Sequence, residues 1–228
     1  MFVADAHCDT LYQIAINGKA PGRCVVTPQR LAAGGVGLQT FALFAGREGP
    51  KGTPYADGLA MLAAAGWLNA PMLTDDLPDS PPEKPMGVFS CEGGEMLEGS
   101  LERLTEFQLA ARLRMIALTW NFENEIGHPA KEGPKGGLKP FGIKLLAAMD
   151  RYGILADTSH LNEAGFWDVC ERTALPPIAS HSDCRWLCDV PRNLRKEQVK
   201  AIVDRGGFIG VNFYSKFLKS DGPATLDD

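Results

Sequence analysis

Short apolar runs alternate with longer stretches of helical spacing along the whole of this chain. The runs predict seven strands, at residues 2–6, 37–44, 87–91, 115–119, 154–158, 177–180 and 208–213. Several are apolar almost without a break, the pattern of a parallel strand covered on both faces. Between them the spacing predicts helices over 55–69, 101–113, 141–152, 162–172 and 195–205. The second carries Leu101, Leu104, Leu109 and Leu113 among charged residues, and the last is stopped by Gly206-Gly207. Segments 46–54, 75–85 and 128–140 are rich in Pro, Gly and charge and read as loops.

Strand, helix, strand in succession argues for βαβ units and a parallel sheet. No linker separates two independent cores and no repeat is visible, so residues 1–228 are expected to form a single domain. Seven strands is one short of an eight-stranded barrel, which occupies about 250 residues. An open seven-stranded barrel would leave two unpaired edges. The expectation is an α/β chain of the (β/α)8 TIM-type barrel, truncated after the seventh strand, with an open doubly wound sheet as the rival.

Composition narrows the partners. Hydrophobic residues are 45% and charged residues 22% of the chain, which suits a folded domain with a real core. A net charge of −5 without a basic stripe argues against nucleic acid. No run is long enough to span a bilayer, and residues 1–5 lack the form of a secretory signal. Six scattered cysteines without a CxxC pair fit reduced thiols, and the expected location is cytoplasmic. A small-molecule substrate is expected, with a homodimer left open.

The chemistry concentrates after strands. His7 and Asp9 follow the first, in Asp5-Ala6-His7-Cys8-Asp9. Glu92 ends the third, ahead of Gly93-Gly94, while His160 follows the fifth and His181 the sixth. Parallel folds build their sites at the carboxyl ends of their strands. The His-x-Asp spacing puts two side chains on one side of an extended segment. Each residue alone also suits a plainer role: a turn histidine, a capping glutamate. Together they form a nitrogen and oxygen donor set that suits a pair of zinc ions.

Motifs through nearly the entire chain now give a family. DAHCDT, GGVGLQTFALF, the EGGE segment, ALTWNFEN, RYGILADTSH, PPIASHSDCR, PRNL and GVNFY occur in that order. The sequence resembles the membrane dipeptidase (renal dipeptidase) family of zinc metallopeptidases, with its amidohydrolase-type barrel. The resemblance implies a first zinc site of His7, Asp9 and Glu92 and a second of Glu92, His160 and His181, with Glu92 bridging the two ions. It implies catalytic roles for Glu92 and Asp9, with Arg192 on the dipeptide's carboxylate and Tyr214 near the substrate. The implied reaction is hydrolysis of a dipeptide, including those with a C-terminal D-residue, by a metal-bridging hydroxide.

Two departures stand out. Trp120 occupies a position where many relatives carry a histidine thought to stabilise the tetrahedral intermediate, and His128 is a candidate replacement. The family's eighth strand ends in a proton-handling aspartate within a segment resembling GSDFDG, which these residues lack; Asp227 and Asp228 do not correspond to it. The competing readings are another binuclear-metal amidohydrolase and an inactive metal-binding fragment. A nucleotide-binding doubly wound fold would need a Gly-rich phosphate loop after the first strand, which is missing.

Overall fold

The computed structural model describes residues 3–46, 50–68, 71–72, 80 and 82–225. The chain divides into two units, Met1–Ile116 and Ala117–Asp228. In the first, β1 (Val3–Asp5) is followed by α1 (Thr10–Ala15), α2 (Pro28–Ala33), β2 (Val36–Phe44) and α3 (Pro54–Ala64). Then come β3 (Met86–Glu92), α4 (Leu101–Ala111) and the opening of β4 (Met115–Ala117). The strands lie in chain order, and β2 is parallel to both β1 and β3. Gln39, Thr40, Phe41, Ala42 and Leu43 are buried in succession, as expected of a strand covered on both faces. An unbroken register from Leu38↔Met86 to Phe44↔Glu92 carries Glu92 to the carboxyl end of this ladder.

Caps written into the sequence start the helices. Thr27 Oγ1 accepts from the Arg30 amide at 3.3 Å, Thr53 Oγ1 from Ala56 at 3.1 Å and Ser100 Oγ from Arg103 at 3.4 Å. Both threonines precede a proline at the first helical position. Helices α1 and α2 were not expected: six residues each make fewer than two turns, too few for a period to register. Leu109, one of the four leucines of the predicted helix 101–113, is 80% exposed. The buried stripe is Leu104, Phe107 and Ala111, spaced three and four apart, and residue 109 falls on the opposite side. That helix ends at Ala111 because Arg112 turns left-handed, at φ 49°. The predicted helix 55–69 tightens into a 3-10 turn over Ala65–Leu68, and Asn69 lies outside the described residues, as does most of the predicted loop 75–85.

The second unit continues with the end of β4, then α5 (Pro140–Tyr152), β5 (Leu155–Asp157), α6 (Glu163–Arg172), α7 (Lys196–Asp204) and α8 (Ser215–Leu218). β4 and β5 are neighbours. The last two predicted strands contract to single parallel bridges, Asp157↔Ile178 and Ala179↔Ile209. Ile178 N donates to Ala156 O at 3.0 Å, and Ala179 N to Phe208 O at 3.1 Å. Order and direction are as expected; length is not. Pro176 and Pro177 have no amide to donate, which removes ladder bonds where the first of these segments begins. Gly207 lies so near Pro177 that an added Cβ would sit 2.0 Å from its carbonyl oxygen. Phe166, Ala179, Leu194 and Ile202 form a buried cluster, with Val199 and Ile209 packed against it, that ties α6 and α7 to these bridges. All six cysteines are free, and among the described residues no helix is long and apolar enough to cross a membrane.

Candidate metal centre

In the first unit the chain leaves β1 at Asp5, turns, and enters α1 with Asp9 at the cap position. An aspartate there ordinarily accepts a backbone amide of the first turn. Asp9 makes no such bond. Its Oδ1 lies instead 3.4 Å from His7 Nε2, while Glu92 Oε2 approaches the same nitrogen at 3.3 Å. The expected geometry for the His-x-Asp pair was an extended segment; Asp9 at φ −93°, ψ 24° shows that a turn brings the two side chains together. Glu92 is delivered by β3, and Gly93, at φ 80°, then swings the chain away in a conformation that favours glycine. Burial pulls the His7 pKa down, but the charges and hydrogen bonds of Glu92 and Asp9 prevail and hold it well above its usual value. Two carboxylates focused on one imidazole nitrogen are a donor set that a divalent cation satisfies in place of a proton.

The second unit brings His160 and His181 together, with Nε2 atoms 2.9 Å apart. Each ring's other nitrogen is already engaged. His160 Nδ1 meets Asn121 Oδ1 at 3.1 Å, and His181 Nδ1 meets Ser180 Oγ at 2.7 Å. His160 is also one of three described non-glycine residues with positive φ, at 68°, a conformation sparsely used by L-residues and concentrated at functional sites. Engaging both Nδ1 atoms leaves the two Nε2 atoms turned toward one another, an arrangement that suits a shared cation.

Arg192 lies beside these histidines, buried, with Nη2 donating to His181 O at 3.2 Å and Nη1 to Ser182 Oγ at 3.4 Å. Its guanidinium carbon stands 5.4 Å from the centre of the Phe217 ring. Tyr214, 53% exposed, packs edge-on against that same ring at 4.9 Å between centroids. Trp120 packs edge-on against Phe122 at 5.6 Å. His128 is drawn into its own loop, where Nδ1 comes within 3.2 Å of Glu123 Oε2 without hydrogen-bond alignment. Asp227 and Asp228 lie outside the described residues.

The family model described as membrane dipeptidase (Peptidase family M19) matches residues 1–228. The chain belongs to this family. A protein from the pqqA 5' region of Klebsiella pneumoniae is 36% identical over 146 residues, covering 61% of this chain and 54% of that protein. One from the PQQ-III 3' region of Acinetobacter calcoaceticus is 33% identical, covering 67% of this chain and 50% of the relative. The chain therefore spans about half the length of these relatives. Among solved structures, the metallopeptidase dipeptidase AC of family M19 superposes with a TM-score of 0.83 at 23% identity, covering 98% of this chain and 76% of the other. A metallopeptidase from Rhodobacter sphaeroides, bound to a phosphinate mimic of the dipeptide L-Ala-D-Ala, gives 0.81 at 23%, covering 99% and 77%. At such identities the likeness shows a shared fold, and the predicted α/β, TIM-barrel-type architecture is borne out.

For a member of the membrane dipeptidase family, the motifs read from sequence name the metal-ligand candidates but not the groups hydrogen-bonded behind them. Asp157, Ser180, Ser159 and Asn121 were not singled out. A signal existed: Asp157 and Ser180 are polar residues inside otherwise apolar strand segments, and both are buried, at 2% and 3% exposure.

Proposed function

We propose that the whole protein is a zinc metallodipeptidase built on one barrel, of which residues 1–228 are a part. The observation that carries this reading is the pair of Nε2 atoms 2.9 Å apart on His160 and His181, each ring fixed from behind. The convergence of Asp9 and Glu92 on His7 supports it, as does family membership. One ion would be held by His7, Asp9 and Glu92 and the other by Glu92, His160 and His181, with Glu92 shared. When bound, the ions would supply an activated water and polarise the scissile carbonyl.

The chain's own residues supply position. Asp9 and Glu92 would contribute negative charge to balance the bound cations. Arg192 takes the C-terminal carboxylate of the dipeptide, for which a guanidinium fork is well shaped. Its bond to His181 O would hold that carboxylate one short step from a metal ligand, which favours substrates of two residues. Tyr214, joined to Arg192 through Phe217, lines the rim of that pocket. The L-Ala-D-Ala mimic bound by the Rhodobacter sphaeroides enzyme supports acceptance of a C-terminal D-residue. The proton-handling aspartate implied by the family is not among these 228 residues.

The test is hydrolysis of a panel of L-L and L-D dipeptides by the full-length protein after zinc reconstitution. Cleavage of short peptides with a free carboxylate, lost when that carboxylate is amidated, is the expected result. Two bound metals per chain with no cleavage of any dipeptide would move the assignment to another amidohydrolase chemistry.

A further inference from the structure

Behind His181 stands a chain of buried groups, of which the reading above uses only Ser180. Asp157, the last residue of β5, accepts three hydrogen bonds. Its Oδ1 takes the amides of Ser159 at 2.9 Å and Ser180 at 3.0 Å, and its Oδ2 takes the Ser180 hydroxyl. An ionised carboxylate can only accept, so the Ser180 proton must point at Asp157. Ser180 Oγ then has only lone pairs to offer His181 Nδ1, 2.7 Å away, and Nδ1 must carry the hydrogen. A carboxylate that touches neither substrate nor metal ligand thus decides which nitrogen of His181 is bare. Ser159 Oγ accepts the His181 amide at 3.2 Å and fixes the backbone from which the ring projects. For His160 the same service comes directly from Asn121 Oδ1.

We propose that Asp157 is a positioning residue: acting through the Ser180 hydroxyl, it locks His181 as the Nδ1–H tautomer and so reserves Nε2, which faces His160 Nε2, for a divalent cation. The polarity of the relay is its essential feature. In Asp157→Asn the shape is kept and Oδ1 still accepts both amides, but the amide nitrogen donates to Ser180 Oγ. The serine proton then turns to His181 Nδ1, and the hydrogen of the ring moves to Nε2, where it blocks coordination. Removal of such a support behind a metal-bound histidine lowers metal affinity by about 10–100-fold.

This inference rests on the assignment of His160 and His181 as metal ligands, and its two measurements separate the ideas. The first is made on the metal-free full-length protein: long-range proton–nitrogen spectra of the imidazole rings. They should show a hydrogen on Nδ1 of His181 in the parent protein and its loss in Asp157→Asn, with His160 still protonated at Nδ1. The second is Zn2+ binding by competition with a chelator. Asp157→Asn and Ser180→Ala should each weaken one zinc by about 10–100-fold. Ser180→Ala removes only a hydroxyl and guards against misfolding of the first variant, and metal-free melting curves report any purely structural loss separately. A tautomer shift without a change in zinc affinity would uphold the relay and overturn its purpose. An unshifted His181 ring in a folded Asp157→Asn protein would overturn the proposal itself, whatever the enzyme hydrolyses.

Discussion

The two candidate metal-binding clusters are organised by different physics. Around His7 the organising force is charge: two carboxylates press on one imidazole, and the side chain of Asp9 is 51% exposed. Around His160 and His181 it is directed hydrogen bonding in a largely buried setting, with the uncharged groups of Asn121 and Ser180 orienting the rings and the Asp157 carboxylate standing behind Ser180. A charged, partly open cluster can rearrange around water; a buried network of oriented dipoles has little to replace a missing member. The comparison predicts that the first cluster is tolerant of change and the second brittle.

The largest effect should come from testing that asymmetry directly. His160→Ala removes a ligand and leaves Asn121 and His181 facing an empty space, and kcat/KM for a dipeptide should fall about 10^3-fold or more, several kcal/mol of lost stabilisation. Asp9→Ala should cost about tenfold less, because water reaches its place and can occupy the vacated coordination position. Steady-state kinetics with measured zinc content checks both. Equal losses would break the comparison at its root.

Arg192 comes next, since the proposed function sets it between the second cluster and the substrate. Losing a charge-assisted hydrogen bond to a carboxylate is worth about 1.5–3 kcal/mol, so Arg192→Ala should raise KM by about 10–100-fold. Zinc content should stay constant, because the guanidinium donates to the backbone carbonyl of His181. A fall confined to kcat would contradict the assigned role.

Two glycines carry the contrast into the backbone. An added Cβ at Gly87, in β3, would meet the Met72 sulfur at 2.6 Å and a Phe41 ring carbon at 3.0 Å. At Gly207 it would meet the carbonyl oxygen of Pro177 at 2.0 Å. A thioether bends aside and a strand carbonyl does not. Gly207→Ala should therefore cost about 1–3 kcal/mol or more in urea denaturation, and Gly87→Ala less. Loss of amide-exchange protection at Ala179 and Gly210 would place the damage at the bridges preceding His181.

These contrasts also mark what the sequence made legible. β2 and β3 were visible as long, mainly apolar runs, because burial on both faces leaves few polar positions, Gln39, Thr40 and Ser90 among them, to interrupt the signal. The segments at 178 and 209 were assigned correctly in place and direction, yet proline and glycine limited each to one bridge, which a run of apolar letters does not reveal. His7, Glu92, His160 and His181 were legible because a histidine or glutamate just past a strand is conspicuous. Asp157 and Ser180 were not, since their meaning lies in which of two oxygens holds a proton, a property of three-dimensional neighbours. Leu109 shows the converse: an apolar letter at nearly the right spacing faces water because the true stripe of α4 runs through Phe107.

The smallest predicted effect concerns an exposed, charged support of the second cluster. Asn121, which orients His160, opens a loop braced by Glu123. Lys139 Nζ lies 2.6 Å from Glu123 Oε1 and Lys135 Nζ 3.1 Å from Oε2. Hydrogen bonds from Lys139 and then Lys135 depress the Glu123 pKa from the usual 4.5 to about 2. A depressed folded-state value means that the contribution to stability is present above pH 4.5 and lost as pH falls through about 2. Glu123→Gln should flatten the acid limb of the melting temperature between those values, and the parent protein's limb should itself flatten in high salt, because the bridge is exposed and screened. Chemical-shift changes in the variant should stop short of His181, whose Nδ1 meets the Ser180 hydroxyl rather than Asn121. If the His181 ring moves as much as that of His160, the buried relay does not insulate it, and the contrast between an exposed support and a buried one fails within the second cluster itself.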